Sequence, residues 1–153
     1  MVSLFLSTFI NKVDRKGRVS VPASFRATLA DQSFHGIVVF KSYRQAALEG
    51  CGINRMHLLS QQVDDQMDLF SEDQDDMTAT LFADAQQLGF DTDGRVMLPE
   101  AFRAYANITD SAAFVGRGAT FQIWQPDAFK VHQDQARKRL HQRGATLKIK
   151  SKD

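Results

Sequence analysis

One stretch of this chain occurs twice. Asp14-Arg15-Lys16-Gly17-Arg18-Val19-Ser20-Val21-Pro22-Ala23-Ser24-Phe25-Arg26 realigns without a gap on Asp91-Thr92-Asp93-Gly94-Arg95-Val96-Met97-Leu98-Pro99-Glu100-Ala101-Phe102-Arg103, at a constant offset of 77 residues. Asp, Gly, Arg, Val, Pro, Phe and Arg coincide, and two of the three prolines fall at the same place in each copy. Self-similarity at a fixed offset means one structural unit used twice. A unit of fewer than about 60 residues buries too little apolar surface to be comfortable alone. The two copies are therefore expected to pack together or to interleave their hairpins.

Each copy can be read locally. Asp at the first position of a turn accepts hydrogen bonds from the amides that follow, and Gly three residues on takes the positive φ that closes it. Val19 and Val21 alternate with Arg18 and Ser20 at the period of a half-buried strand, with Thr8-Phe9-Ile10 and Gln87-Leu88-Gly89-Phe90 as partner strands. Asp-x-x-Gly thus reads as a hairpin tip. Pro22 and Pro99 suit a first helical turn, where their missing N–H would be unpaired anyway. Short helices then bury Phe25 and Leu29, or Phe102 and Ala106. Apolar pairs follow: Ile37–Phe40 with Ala46–Leu48, and Ala113–Val115 with Thr120–Trp124. Helices from Arg55 to about Met67 and from Asp127 to about Leu140 close the units, and Ser71-Glu72-Asp73-Gln74 opens one more as a capping box.

Charge is segregated along the chain. Residues 1–60 hold eight Lys/Arg against three acids, residues 94–153 eleven against five, and residues 61–93 ten acids with no Lys or Arg. The net charge of +1 hides this contrast, which suggests one surface that attracts polyanions and another that repels them. The acidic stretch also suits a plain solvated helix face. No apolar run approaches the ~20 residues of a membrane-spanning helix, and the start lacks the basic region of a secretory leader. One cysteine, Cys51, cannot form an intrachain disulfide. The four histidines show no metal spacing to one another or to Cys51, and no hydrolase elbow or phosphate-cradling loop is present. Asp91-x-Asp93-Gly94 has part of a calcium loop's spacing but lacks its closing Glu. No catalytic residue, metal, cofactor or small-molecule substrate is expected.

The doubled Asp-x-x-Gly-Arg…Pro motif, at residues 14–22 and 91–99, resembles the SpoVT–AbrB superfamily of DNA-binding swapped-hairpin barrels, and two tandem copies resemble its MraZ family. The resemblance runs from about Phe5 to Leu140. It implies an α+β fold of two tandem pseudo-symmetric units, a swapped-hairpin β-barrel with short helices. The divisions expected are residues 7–54 (repeat 1), 55–83 (a helical acidic connector), 84–127 (repeat 2) and 128–153 (a C-terminal helix and basic tail). It further implies a repressor of the division and cell-wall gene cluster, cytoplasmic and associated with the nucleoid. Such a protein would bind direct repeats in double-stranded DNA at its own promoter, as a ring of identical chains. An antitoxin-like protein-binding module of the same superfamily is the alternative.

On the residues themselves, Arg15, Lys16 and Arg18 put three cations on the first tip, and a β-ribbon with Arg can reach guanine N7 and O6. Lys12 and Arg26 are expected on phosphate. Arg18 and Arg95 are open to a second reading, in which each pairs with Asp14 or Asp91 and braces its turn around Gly17 or Gly94. Both readings can hold. Thr92 and Asp93 replace Arg15 and Lys16 in the second tip, so repeat 1 is expected to dominate DNA contact, with Arg95 contributing less. The basic run from Arg137 onward either adds a salt-sensitive hold on DNA or is simply solvated.

Overall fold

The computed structural model describes residues 3–147. Eight strands and five helices follow one another as β1 (Thr8–Lys12), β2 (Arg18–Ser20), α1 (Ala23–Thr28), β3 (Gly36–Lys41), β4 (Leu48–Cys51), α2 (Ile53–Gln66), α3 (Glu72–Leu81), β5 (Gln86–Gly89), β6 (Arg95–Met97), α4 (Glu100–Tyr105), β7 (Ser111–Gly116), β8 (Phe121–Trp124) and α5 (Pro126–Arg143). The fold is α+β. Six strands form one antiparallel sheet in the order β1-β7-β8-β4-β3-β5, and β2 and β6 form a two-stranded ribbon.

The copies interleave. β1 of the first copy pairs with β7 of the second, and β5 of the second pairs with β3 of the first. Exchanging the copies turns the sheet order into its own reverse, so a pseudo-two-fold axis relates them. The axis passes between the repeat mates Val19 and Val96, which face each other in the ribbon. It also passes between Glu49 and Gln122 where β4 meets β8. The arms of the first expected hairpin share no regular ladder: β1 and β2 are joined by an isolated bridge, Val13 to Val19, and by Asn11 Nδ2 donating to Ser20 O at 2.8 Å. Beyond these contacts each arm leaves its neighbour, because the other copy offers a longer ladder of partners for its N–H and C=O groups. The strand expected at Ala46–Leu48 lies two residues later, over Leu48–Cys51.

The inner strands of the main sheet are buried on both faces, which is why β3, β7 and β8 read GIVVFK, SAAFVG and FQIW with little alternation. Ile37, Val39, Ala112 and Phe114 face the main core, where they meet Val19 and Val96 of the ribbon with Phe25 and Phe102 of α1 and α4. The alternate residues face the other way. Val38 and Phe40 pack beneath α2 and α3 with Cys51 and Met56, and Ala113, Val115 and Trp124 pack beneath α5 with Phe129. Ribbon and long helices therefore lie on opposite faces of the sheet. Local signals set the helix starts: Ser71 Oγ accepts the Gln74 amide at 3.1 Å, and Gln125 Oε1 accepts that of Ala128 at 2.7 Å. Burial pushes the Cys51 thiol up to about 12, as befits a small core residue.

Phe25 is fully buried, and its ring meets Phe5 at 5.2 Å and Phe9 at 5.7 Å edge-on, and Phe121 at 5.3 Å tilted. Phe25→Ala should cost about 3–5 kcal/mol in urea denaturation through lost transfer energy and the cavity left behind. His132 stacks on Trp124 at 4.7 Å, and burial, aided by the positive charges of Arg139 and Arg117, lowers its pKa from the ordinary 6.5. Between that lowered value and 6.5 the unfolded chain holds a proton that the folded chain does not. Stability should accordingly fall as pH drops through 6.5 and level off below the folded value. His132→Phe should flatten that slope in denaturation curves taken between pH 7.5 and 5.

Candidate nucleic-acid interface

Both repeat tips have the same construction. Asp14 Oδ1 accepts the backbone N–H of Lys16 at 3.0 Å and of Arg18 at 2.8 Å, while Oδ2 accepts Arg18 Nε at 2.6 Å. In the second tip Asp91 Oδ1 accepts Asp93 N and Arg95 N, both at 2.9 Å, and Oδ2 accepts Arg95 Nε at 3.0 Å. The glycines close the turns with φ +89° at Gly17 and +74° at Gly94. Both carboxylates are held below the ordinary 3.8, first by the backbone amide of Arg18 or of Arg95. The Asp–Arg brace is therefore present in both copies.

The tips differ in what the brace leaves over. Arg18 engages Asp14 through Nε, and among the described residues its two terminal nitrogens have no partner. Arg15 and Lys16 beside it are exposed. In the second tip Arg95 Nη2 turns to Asp93 at 3.4 Å, so its charge is answered twice. One tip presents three cations and one ion pair; the other presents an arginine between two carboxylates.

Each tip is held by the other copy. Val21 N donates to Gly94 O at 3.1 Å, and Leu98 N donates to Gly17 O at 2.9 Å. Arg26 Nε donates to Val21 O at 3.1 Å, and its guanidinium lies where a Cβ on Gly94 would sit, 2.7 Å from Cζ. Arg103 does the same for Leu98 O and Gly17. The structure thus places Arg26 half-buried between the copies, apart from the exposed cations of the first tip. Arg103 carries the matching role, and the aligned Arg26/Arg103 pair is its signal in the sequence. Lys12 ends β1, exposed, opposite Ser111. Along the ribbon, Gly17 and the residue facing Gly94 are four residues apart, about 13 Å at strand rise. Arg18, Ser20, Arg95 and Met97 turn away from the core that holds Val19 and Val96.

A family profile described as "MraZ protein, putative antitoxin-like" matches residues 81–148, most of it the second copy. The chain is 42% identical over 147 residues to a "Transcriptional regulator MraZ" of Rickettsia akari (strain Hartford), covering 96% of this chain and 98% of that one. It is 43% identical over 148 residues to the "Transcriptional regulator MraZ" of Rickettsia bellii (strain OSU 85-389), with the same coverage. The chain belongs to the MraZ family. Within this MraZ-family chain, no helix among the described residues is long and apolar enough to cross a membrane, and no group of three or more His, Cys, Asp or Glu residues is placed to hold a metal ion. Lys148, Lys150 and Lys152 of the basic tail lie outside the described residues.

The glycines test this geometry. A Cβ on Gly17 would come within 2.8 Å of Leu98 O and of Arg103 Nε, at a φ that L-residues rarely adopt. Gly17→Ala and Gly94→Ala should each destabilise the chain by about 1–3 kcal/mol, read as a lowered midpoint in thermal denaturation. Ala substitution at Gly118, whose φ is +81° with nothing within 4 Å of a Cβ, should cost less, since only the backbone conformation opposes it.

Proposed function

We propose that this chain is a sequence-specific DNA-binding transcriptional regulator whose first repeat tip makes the dominant contact. The observation that carries this reading is the first tip itself: Arg15 and Lys16 exposed, and Arg18 fixed through Nε with both terminal nitrogens unpartnered. A guanidinium held in one orientation loses little freedom on meeting the paired acceptors of guanine. Lys16 and Lys12 suit phosphate, which positions the ribbon without reading sequence. Arg26 contributes by holding the second tip, and Arg95 contributes less because Asp91 and Asp93 already answer it. The relatives' printed name, transcriptional regulator, agrees with this reading.

The finer parts of the proposal follow the family. Residues 7–54 and 84–127 act as the two interleaved halves of a swapped-hairpin barrel, with 55–83 and 128–153 as an outer helical layer and tail. The protein works as a repressor in the cytoplasm at the nucleoid, not as an enzyme. It binds direct repeats upstream of its own gene in the division and cell-wall cluster, as a ring of chains. A single tip with three cations binds weakly at physiological salt, and several tips on one ring reach adjacent repeats at high effective concentration. The "antitoxin-like" description of the matching family supports a second reading, in which a protein partner is the target.

The test is fluorescence anisotropy with duplex DNA from directly upstream of the gene, against a scrambled duplex, at several salt concentrations. Arg18→Ala should lose about 1–3 kcal/mol of binding and most of the preference between duplexes. Lys16→Ala should weaken both duplexes alike and reduce the salt slope by about 1. Arg95→Ala should have the smallest effect of the three. No preference for the upstream duplex, or full binding by a correctly folded Arg18→Ala chain, would turn attention to the protein-partner reading.

A further inference from the structure

We infer that Met97 is a base-reading residue, whose thioether side chain packs on the C5-methyl of a thymine within about two base pairs of the guanine that Arg18 meets. This rests on the reading that the first tip binds DNA in the major groove. It adds an apolar contact to a recognition surface otherwise made of charge and hydrogen bonds.

The ribbon sets Arg18, Val19 and Ser20 of β2 against Met97, Val96 and Arg95 of β6, in that order. Val19 and Val96 point into the core, so Arg18 lies beside Met97, and Ser20 beside Arg95, on the outward face. Outward positions of a half-buried strand are ordinarily polar, as three of these four are. Met97 is 53% exposed and belongs to none of the three apolar clusters. The fold of the described chain therefore gives it little to pack on. Its surroundings name what covers it. Arg18, with both terminal nitrogens unpartnered among the described residues, is its cross-strand neighbour, and Arg15 and Lys16 stand exposed on the adjoining tip. An apolar protein surface laid here would bury those cations unpaired, at high cost. The major groove of DNA supplies both needs, with phosphates along its walls and thymine methyl groups on its floor.

The dimensions agree. The groove, about 12 Å wide, admits a two-stranded β-ribbon. Residues opposed on an antiparallel pair have Cβ atoms about 5 Å apart, and successive base pairs stack about 3.4 Å apart. A side chain beside Arg18 thus reaches a base pair about one or two steps from the one Arg18 meets. Methionine is unbranched and polarizable, so it moulds to an apolar edge of irregular shape. Its repeat mate is Ser20, whose hydroxyl suits a polar base edge instead. The apolar position therefore occurs on one side of the pseudo-two-fold axis and not on the other. The ribbon reads a duplex in one direction although its backbone is symmetric. A purely structural Met97 would rest on the aliphatic stem of Arg18 and steady it. Such a residue affects guanine recognition and is indifferent to a thymine methyl group.

The test uses the full chain and the upstream duplex, read by fluorescence anisotropy. One thymine at a time is replaced by deoxyuridine, which removes only the C5-methyl. One guanine at a time is replaced by 7-deazaguanine, which removes the N7 acceptor. Wild type should bind about fourfold more weakly at one deoxyuridine, the worth of one buried methyl group. That position should lie within about two base pairs of the 7-deazaguanine to which Arg18→Ala is indifferent. Met97→Ser should bind the thymine and deoxyuridine duplexes alike at that position and keep the wild-type response to 7-deazaguanine. Met97→Leu, which stays apolar, should keep the methyl dependence. The inference is overturned if no deoxyuridine weakens wild type, or if Met97→Ser keeps the wild-type deoxyuridine pattern. It is overturned equally if Met97→Ser loses only its response to 7-deazaguanine, which marks a brace for Arg18. In each of those cases a wild-type preference for the upstream over the scrambled duplex leaves the regulator reading standing. Absence of that preference defeats both.

Discussion

The exchange of strands between the two copies is the constraint on which everything else depends. β1 and β5 each complete the sheet of the opposite copy, and β2 and β6 have no regular ladder except with each other. A separated copy would expose those edges and half of the core around Phe25 and Phe102. The pseudo-two-fold axis, the ribbon across it and the position of both tips at the ribbon's ends all follow from this exchange. The side chains at the axis show how closely the copies are fitted. Gln122, buried, donates to Glu49 at 2.9 Å and accepts Trp124 Nε1 at 2.8 Å, so a polar pair sits at the centre of the sheet with its hydrogen bonds made.

Symmetric architecture carries unequal chemistry. The brace of Asp, Arg and Gly is the same in both tips, and so is the arginine from the other copy that lies beneath each glycine. Two substitutions separate the tips in charge. Thr92 removes one cation, and Asp93 replaces another with a carboxylate that draws off Arg95. Duplication secured a scaffold that neither unit could form alone, and change at exposed tip positions, which carry little folding energy, could then give the tips different duties.

The same asymmetry appears on the far face. There the equivalents α2 and α5 share their attachment to the sheet and differ in charge. A main sheet covered on both faces keeps the two surfaces apart: ribbon and tips on one, long helices on the other. Contacts made by the helices need not compete with contacts made by the tips.

Much of this was legible in the chain. The gapless repeat of residues 14–26 in 91–103 determined that there are two units, where their turns lie, and that Asp14 and Asp91 would organise them, because turn chemistry is local and leaves a fixed residue pattern. The capping box at Ser71, the Pro-initiated helices and the apolar run Ile37–Phe40 were readable for the same reason. Which strand pairs with which was not, since β1 and β2 adjoin in sequence yet each bonds to a strand of the other copy, and a ladder depends on partners far along the chain. The neighbours of Arg26 were hidden likewise: its place after a tip suggests a phosphate contact, but only the crossing of the copies sets its guanidinium against Gly94. The sequence by itself determined the turns, the periodicities and the segregation of charge. The tertiary structure alone decided which copy supports which, because that choice rests on long-range hydrogen bonds and close packing that no local pattern records.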